Sequence, residues 1–327
     1  MTFHQCTTGE EVAKACIARS EGKTFVITGT STGGIGAATA IALAHSRPKT
    51  LFLASRSLSK TEPVIQEIKS IGPSINVIFV ELDLSDLESV RKAAKGMINR
   101  EEGQKIDYLI NNAGVMCTMP YTKTKQGIEL QFGTNHVGHF LWTNLLLPRV
   151  LAAGGNARIV NVASTGYVLS EARLDDVNWD HGKSYHPWLA YGSSKTANVL
   201  FNTYLASHLK SKGVDCFALQ PGMPQTPLYV HTQGDGPAAF PEALKILEKK
   251  YNGQPPPSGL MEEDEKTVEQ AASTLVAAAL DPRFDGKFEL FLRNCQPFDT
   301  VAYTTDPESA EKLWKLSEKL VGQGFKI

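Results

Sequence analysis

The chain lacks any run of about 18 uninterrupted apolar residues, which argues against a transmembrane helix. Residues 1–11 are polar and lack the apolar core of a signal peptide. An excess of charge of one sign is missing too. Lys and Arg number 33 against 34 Asp and Glu, a formal net charge of −1. That balance gives no electrostatic footprint for nucleic acid or an anionic membrane. The five cysteines, Cys6, Cys16, Cys117, Cys216 and Cys295, show no CxxC spacing. Their odd number argues against a disulfide framework or a zinc site. His136, His139, His181 and His186 lack metal-ligand spacing, so no metal is expected and packing or surface roles are the default. No internal repeat and no clear linker divides the 327 residues. These absences leave a soluble, cytoplasmic α/β protein, residues 1–327 forming one domain, as the expectation.

What is present is organised around residues 24–36, Thr24-Phe-Val-Ile-Thr-Gly-Thr-Ser-Thr-Gly-Gly-Ile-Gly36. Phe25 to Ile27 reads as a buried strand, and Ala37 to Ala44 as a helix of small and apolar residues. Strand, glycine turn and helix make the first unit of a dinucleotide-binding fold. Gly29 lets the chain turn off the strand, a glycine at 33 or 34 lets the backbone approach a pyrophosphate, and Gly36 lets the helix pack close to the sheet. The helix N-terminus then faces the phosphates. Residues 50–54 read as a second buried strand, and the acid that would select NAD is missing from its end. Ser55 and Arg56 stand there instead, and an arginine fork suits the 2′-phosphate of NADP.

The rest alternates. Thr8 and Glu11 form a capping-box pattern ahead of a short helix. A helix is expected over 61–71 with Pro63 in its first turn, and a strand over 76–80. Asp83 is placed to reach the adenine, and Ser85 to cap a helix over 86–99. A strand over 107–110 follows, then a long helix over 127–153 with Pro148 marking a kink or break. Further strands are expected over 158–162, 214–219 and 287–292, and helices over 191–210, 267–280 and 307–321. Residues 223–266, rich in Pro and Gly with a helical patch over 241–250, read as an inserted substrate cap. The alternation predicts one doubly wound parallel sheet of about seven strands with helices on both faces.

Several pieces then appear in a known order: Thr28-Gly29 with Gly34-Ile-Gly36, Asn111-Asn-Ala-Gly114, Asn135, Ser164, Tyr191-Gly-Ser-Ser-Lys195, and Pro221-Gly222 with Thr226. On these the chain resembles the short-chain dehydrogenases/reductases, which carry a Rossmann-type fold, over residues 24 to 226. Residues 134–140 and 191–201 resemble the retinol dehydrogenases and WW-domain oxidoreductases, although neither a WW domain nor a membrane anchor is expected here. Four residues separate Gly29 from Gly34, one more than is usual in the family, a lengthening shared with a similar group of fungal reductases.

The resemblance implies a cofactor site of Gly29, Thr30, Ser31, Gly33, Gly34, Ile35, Gly36, Ser55, Arg56, Asp83, Leu84, Asn112, Ala113, Gly114, Tyr191, Lys195, Pro221, Gly222 and Thr226. It implies that Tyr191 is the general acid or base and that Ser164 binds the substrate oxygen. Lys195 would hold the nicotinamide ribose, and Asn135 would bind a water in a proton relay. The Tyr-x-x-x-Lys spacing supports this, since it puts both side chains on one helix face. An ammonium there stabilises negative charge on the phenolic oxygen. Tyr121 and Lys125 share the spacing but sit behind Pro120 with no apolar helical pattern. Asn111 is expected to tie neighbouring strands.

The expected activity is NADP(H)-dependent interconversion of a ketone or aldehyde and an alcohol, by a ketoreductase of a biosynthetic kind. The alternatives are reduction of a carbon–carbon double bond on the same fold, a catalytically silent NADP-binding protein, and, remotely, a methyltransferase. Met116, Tyr167, Trp179, Trp188, Met223, Tyr229 and Phe240 are the candidate pocket residues, and they suit a bulky lipophilic or aromatic small molecule. A homodimer through helices 127–153 and 191–210 is the default that the resemblance implies.

Overall fold

The computed structural model describes residues 2–228, 239–251 and 265–327. Its strands are β1 (Thr24–Thr28), β2 (Thr50–Ser55), β3 (Asn76–Glu81), β4 (Tyr108–Asn111), β5 (Ala157–Val162), β6 (Val214–Gln220), the two-residue β7 (Met223–Pro224) and β8 (Glu265–Lys266), β9 (Glu289–Arg293) and β10 (Gln296–Pro297). Eight of them form one sheet in the order β10-β9-β6-β5-β4-β1-β2-β3. Every pairing is parallel except that of β10, which runs antiparallel along the edge beside β9. The seven expected strands are thus joined by a short eighth. The chain starts at the centre, builds outward to β3, then crosses back to β4 on the other side of β1. That reversal opens a crevice at the carboxyl ends of β1 and β4, where such sheets bind ligands.

β1, β2 and β5 are buried at every position, as expected for strands covered on both faces. Side chains alternate between the layers. Phe25 and Ile27 enter one core with α1 (Gly9–Ala15), α2 (Ile35–Ala44), α3 (Leu58–Ile71) and α8 (Val268–Leu280), numbering the helices along the chain. Val26 enters the other with α4 (Leu87–Ile98), α5 (Gly138–Leu151), α6 (Pro187–Leu209) and α9 (Pro307–Val321). Besides the single turns Ile17–Ser20 and Leu130–Phe132, the remaining described helix, α7 (Phe240–Lys250), belongs to the expected cap. The rest of that cap, residues 229–238 and 252–264, lies outside the described residues.

Several boundaries move, each for a local reason. α3 starts at Leu58 because Ser57 accepts the Lys60 N–H, so Pro63 stands inside the helix rather than in its first turn. Asp86, not Ser85, caps α4, because Ser85 donates its hydroxyl to Asp83 Oδ1. α6 begins at Pro187 behind a His186 cap, which places Tyr191 in its second turn. The expected helix over 127–153 is divided by a π-helical turn, Gly133–Val137, rather than at Pro148, which sits in the last turn of α5.

Part of α5 and α6, the helices expected to meet a second copy, packs within the chain against α9 and the residues after it. Trp314 of α9 stacks on Tyr204 at 4.1 Å between ring centroids and meets Phe140 edge-on at 4.8 Å. Phe325 packs against the same Phe140. Among the described residues no helix is long and apolar enough to cross a membrane, and no group of three His, Cys, Asp or Glu side chains could hold a metal ion.

Candidate active site

One cavity of about 760 Å³ runs along the carboxyl ends of the strands. Gly29, Ser31, Gly34 and Ile35 line it after β1, Ser55 and Arg56 after β2, and Asp83 and Leu84 after β3. Asn112, Ala113, Gly114, Ser164, Tyr191, Lys195, Pro221, Gly222 and Thr226 complete the expected set on its wall. Thr30, Gly36 and Asn135 are buried behind the wall, and Gly33 is exposed and does not line it.

The floor of the cavity is closely packed around its glycines. Gly29 has φ +77°, and a side chain on it would lie 2.8 Å from Ala113 Cα. A methyl on Gly36 would lie 2.5 Å from both Gly29 O and Asn112 Nδ2. Both glycines therefore hold the turn, α2 and the 112–114 loop in close contact. Thr28 Oγ1 accepts the backbone N–H groups of Asn112 at 2.9 Å and Ala113 at 3.0 Å. Asn112 Nδ2 donates to Thr28 O. At the β2 end, Ser55 turns inward to Thr61, its Oγ at 2.7 Å from Thr61 Oγ1. Arg56 is exposed at the wall and forms no ion pair among the described residues.

The chemistry-bearing side chains converge further along. Ser164 is extended, follows β5 just past Ala163 and caps the short turn Thr165–Leu169, its Oγ accepting the Gly166 N–H at 3.1 Å. That leaves its own hydroxyl hydrogen to point elsewhere. Tyr191 is buried, and its ring lies directly over Gly166. A methyl on Gly166 would be 2.8 Å from Tyr191 Cε1 and 3.5 Å from Ser164 Oγ, so the two side chains border one point. Lys195 Nζ stands 5.7 Å from the centroid of the Tyr191 ring and donates to Val162 O at 3.1 Å. Burial pushes the lysine down to about 8, because desolvation disfavours its charged form.

Asn135 sits in the π-turn. Its amide pairs with both backbone groups of Val115, at 2.8 and 2.9 Å, and donates to Ser194 Oγ at 2.9 Å. Ser194 in turn donates to Tyr191 O. Asn135 Oδ1 and Lys195 Nζ both border the space above Gly114, at 3.1 and 3.6 Å from where a side chain would begin. Asn111 does tie strands: its Nδ2 donates to Asn161 Oδ1 and Thr143 Oγ1, and Asn161 donates onward to Asn202.

The substrate end is apolar. Met116, Trp188, Met223 and Phe240 line it as expected, with the Trp188 and Phe240 rings 4.6 Å apart. Tyr167 and Trp179 belong to the packing behind, Tyr167 against Phe291 and Trp179 beneath Arg173. Tyr229 lies outside the described residues. Sequence reasoning passed over Leu130, Leu169 and Leu228 on the wall, since a lone leucine carries no signal distinguishing wall from core. His139, given packing or a surface role as its default, is buried and reaches Thr28. No metal-ligand spacing marks it.

A family model described as short chain dehydrogenase matches residues 23–174. Human retinol dehydrogenase 13 is 37% identical over 301 residues, 92% of this chain and 85% of that protein. The short-chain dehydrogenase/reductase prx1 of Penicillium roqueforti is 34% identical over 313 residues, 91% of this chain and 85% of that protein. Among solved structures, an uncharacterized protein from Mycobacterium paratuberculosis is 31% identical with a TM-score of 0.64, covering 95% of this chain and 98% of that one. L-sorbose reductase from Gluconobacter frateurii, solved with NADPH and L-sorbose, shares the fold at a TM-score of 0.60 and 20% identity, over 86% of this chain and 98% of that one.

Proposed function

The chain belongs to the short-chain dehydrogenase/reductase family, in the subgroup resembling retinol dehydrogenases, and from that membership we propose an NADP(H)-dependent interconversion of a lipophilic ketone or aldehyde and its alcohol. The observation that carries this reading is the convergence of Ser164 Oγ and the Tyr191 ring beside Gly166 on the cavity wall, with Lys195 Nζ over the ring.

The cofactor-binding assignments Gly29, Thr30, Ser31, Gly33, Gly34, Ile35, Gly36, Asp83, Leu84, Asn112, Ala113, Gly114, Pro221, Gly222 and Thr226 are part of the same reading. So is the choice of NADP. It is supported by Arg56, exposed at the wall without an ion-pair partner among the described residues, and by a β2 end with no carboxylate. When bound, the dinucleotide supplies hydride to the carbonyl carbon or takes it back. Ser164 holds the substrate oxygen with the hydroxyl hydrogen that its own bond from Gly166 leaves available. Tyr191 gives its phenolic proton to that oxygen. Lys195 stabilises the phenolate that results, in a site dry enough for the charge to count. The space bordered by Asn135 Oδ1 and Lys195 Nζ suits a water that resupplies the proton.

The test is NADPH consumption over a panel of lipophilic ketones, aldehydes and enones. Wild type is expected to reduce carbonyls and spare the enone double bond. Tyr191→Phe is expected to lose about 10²–10⁴-fold in turnover, the usual share of a positioned general acid. A variant with near-wild-type turnover would remove Tyr191 from the mechanism, and a saturated ketone product from the enone would favour double-bond reduction.

A further inference from the structure

His139 is buried in the first turn of α5 and does not itself line the cavity, but it bonds to Thr28, which does. Its ring bridges two elements of the site. Nδ1 lies 2.9 Å from Asn135 O, and Nε2 lies 2.9 Å from Thr28 Oγ1. A backbone carbonyl only accepts, so Nδ1 carries a hydrogen. Nε2 is then the acceptor of the neutral ring, and Thr28 gives it the hydroxyl hydrogen. Thr28 Oγ1 meanwhile receives the Asn112 and Ala113 N–H groups. Every donor in this chain of bonds meets an acceptor. The other tautomer would set a nitrogen lone pair against the Asn135 carbonyl, and would leave the Thr28 hydroxyl surrounded by three donors with nowhere to send its hydrogen.

We propose that His139, as the neutral Nδ1–H tautomer, is a positioning residue that couples the floor of the dinucleotide cleft to the turn carrying Asn135. The path is continuous and one-directional. Asn112 and Ala113 donate to Thr28, Thr28 to His139, and His139 to Asn135. Beyond it, Asn135 donates to Ser194 and Ser194 to the carbonyl of Tyr191. Gly133–Val137 is a π-turn, a local widening often found at functional sites. His139 is therefore the link between the element that would hold the cofactor and the element that supports the catalytic tyrosine. This rests on reading the cleft as a dinucleotide site.

Two side chains divide the link. In His139→Asn the amide nitrogen falls near the place of Nδ1, which keeps the donor to Asn135 and removes the acceptor for Thr28. In His139→Gln the amide oxygen falls near the place of Nε2, which keeps the acceptor and removes the donor. His139→Asn is expected to weaken NADPH binding about tenfold by fluorescence titration, and His139→Gln to leave binding within about twofold while lowering turnover about tenfold. Equal changes in both variants, tracking a lowered Tm, would reduce His139 to a packing residue. A wild-type measurement stands apart from any variant's folding. Nitrogen-15 NMR of histidine-labelled protein without cofactor is expected to show one buried imidazole protonated at Nδ1 only, its signal absent from His139→Gln. Protonation at Nε2, or an imidazolium at neutral pH, would overturn the proposal. If no carbonyl compound is reduced, the functional reading fails, while the titration and the tautomer still decide the role of His139.

Discussion

The two ends of the cavity are built on different physics. The cofactor end is a hydrogen-bonded frame: Thr28, Asn112, Asn135 and Ser194 each use their side chains on backbone groups or on one another. The substrate end is a set of apolar surfaces, Met116, Trp188, Leu228 and Phe240, whose contacts have no direction. A directional frame tolerates few residue types at each place, because a buried donor without an acceptor costs about 1–3 kcal/mol. An apolar wall tolerates many, because volume-conserving hydrophobic swaps cost little. The first end should therefore fail sharply when altered, and the second should change what it accepts.

Apart from the loss expected of Tyr191→Phe, the largest effect tests the frame. Gly36→Ala would place a methyl 2.5 Å from Gly29 O and Asn112 Nδ2. Neither can retreat without opening the bonds that set the floor. Overpacking of this kind costs about 1–3 kcal/mol of stability, and the displaced floor is expected to bind NADPH about 10–100-fold more weakly by titration. Unchanged affinity would mean that the floor is softer than its bonding implies.

The same contrast decides what could be read from the chain alone. Strands β1, β2 and β5 were legible because a strand buried on both faces needs a short unbroken apolar run, and each has one. Ser164, Tyr191 and Lys195 were legible because their spacing carries the family's pattern. The π-turn was not, since the weak helix formers of Gly133 to Val137 mark no particular turn type, and the bonds Asn135 makes there reach Val115, 20 residues away. The role of His139 was hidden for the same reason: its partners are 4 and 111 residues away. At the substrate end, Tyr167 and Trp188 look alike as sequence, yet one is core and the other is wall. Only the fold separates them.

Arg56 stands where the frame meets solvent, so its effect should be smaller and selective. Arg56→Ala is expected to weaken NADPH about tenfold while changing NADH less than about twofold, the difference being one charge-assisted contact to a phosphate. Equal losses for both cofactors would remove Arg56 from cofactor choice.

Acid should act on three buried groups around the cavity and its core with opposite signs. Burial holds His136 down to about 3 and His139 to about 4, whereas it raises Glu129, which caps the Leu130–Phe132 turn near the substrate end, to about 7. The histidines bind fewer protons folded than unfolded, so their contribution is complete above about 6.5 and is lost as pH falls toward 4. Glu129 binds more protons folded, so its contribution is present below about 4.5 and is lost as pH rises through 7. Between about pH 4.5 and 6.5 two protons oppose one. Stability from these groups then rises by about 1.4 kcal/mol per pH unit. Urea midpoints at pH 5 and 6.5 measure it. Glu129→Gln should steepen the dependence, and a flattened one would reverse the assignment.

The smallest effect belongs to the apolar end, and its form matters more than its size. Phe240 comes from α7 and Trp188 from α6, and their rings meet at 4.6 Å over the cavity. An aromatic pair of this kind contributes about 0.5–1.5 kcal/mol beyond its area. Phe240→Ala removes it without touching Ser164, Tyr191 or Lys195. The expected result is a KM about 2–10-fold higher for bulky ketones, with kcat held within about twofold, the pattern of lost uniform binding. Compounds too short to reach Trp188 should show no change. If kcat fell instead, α7 would be acting on the position of Tyr191 through the start of α6. The division between a frame that does chemistry and a wall that selects by shape would then fail at the one place where the two share a helix.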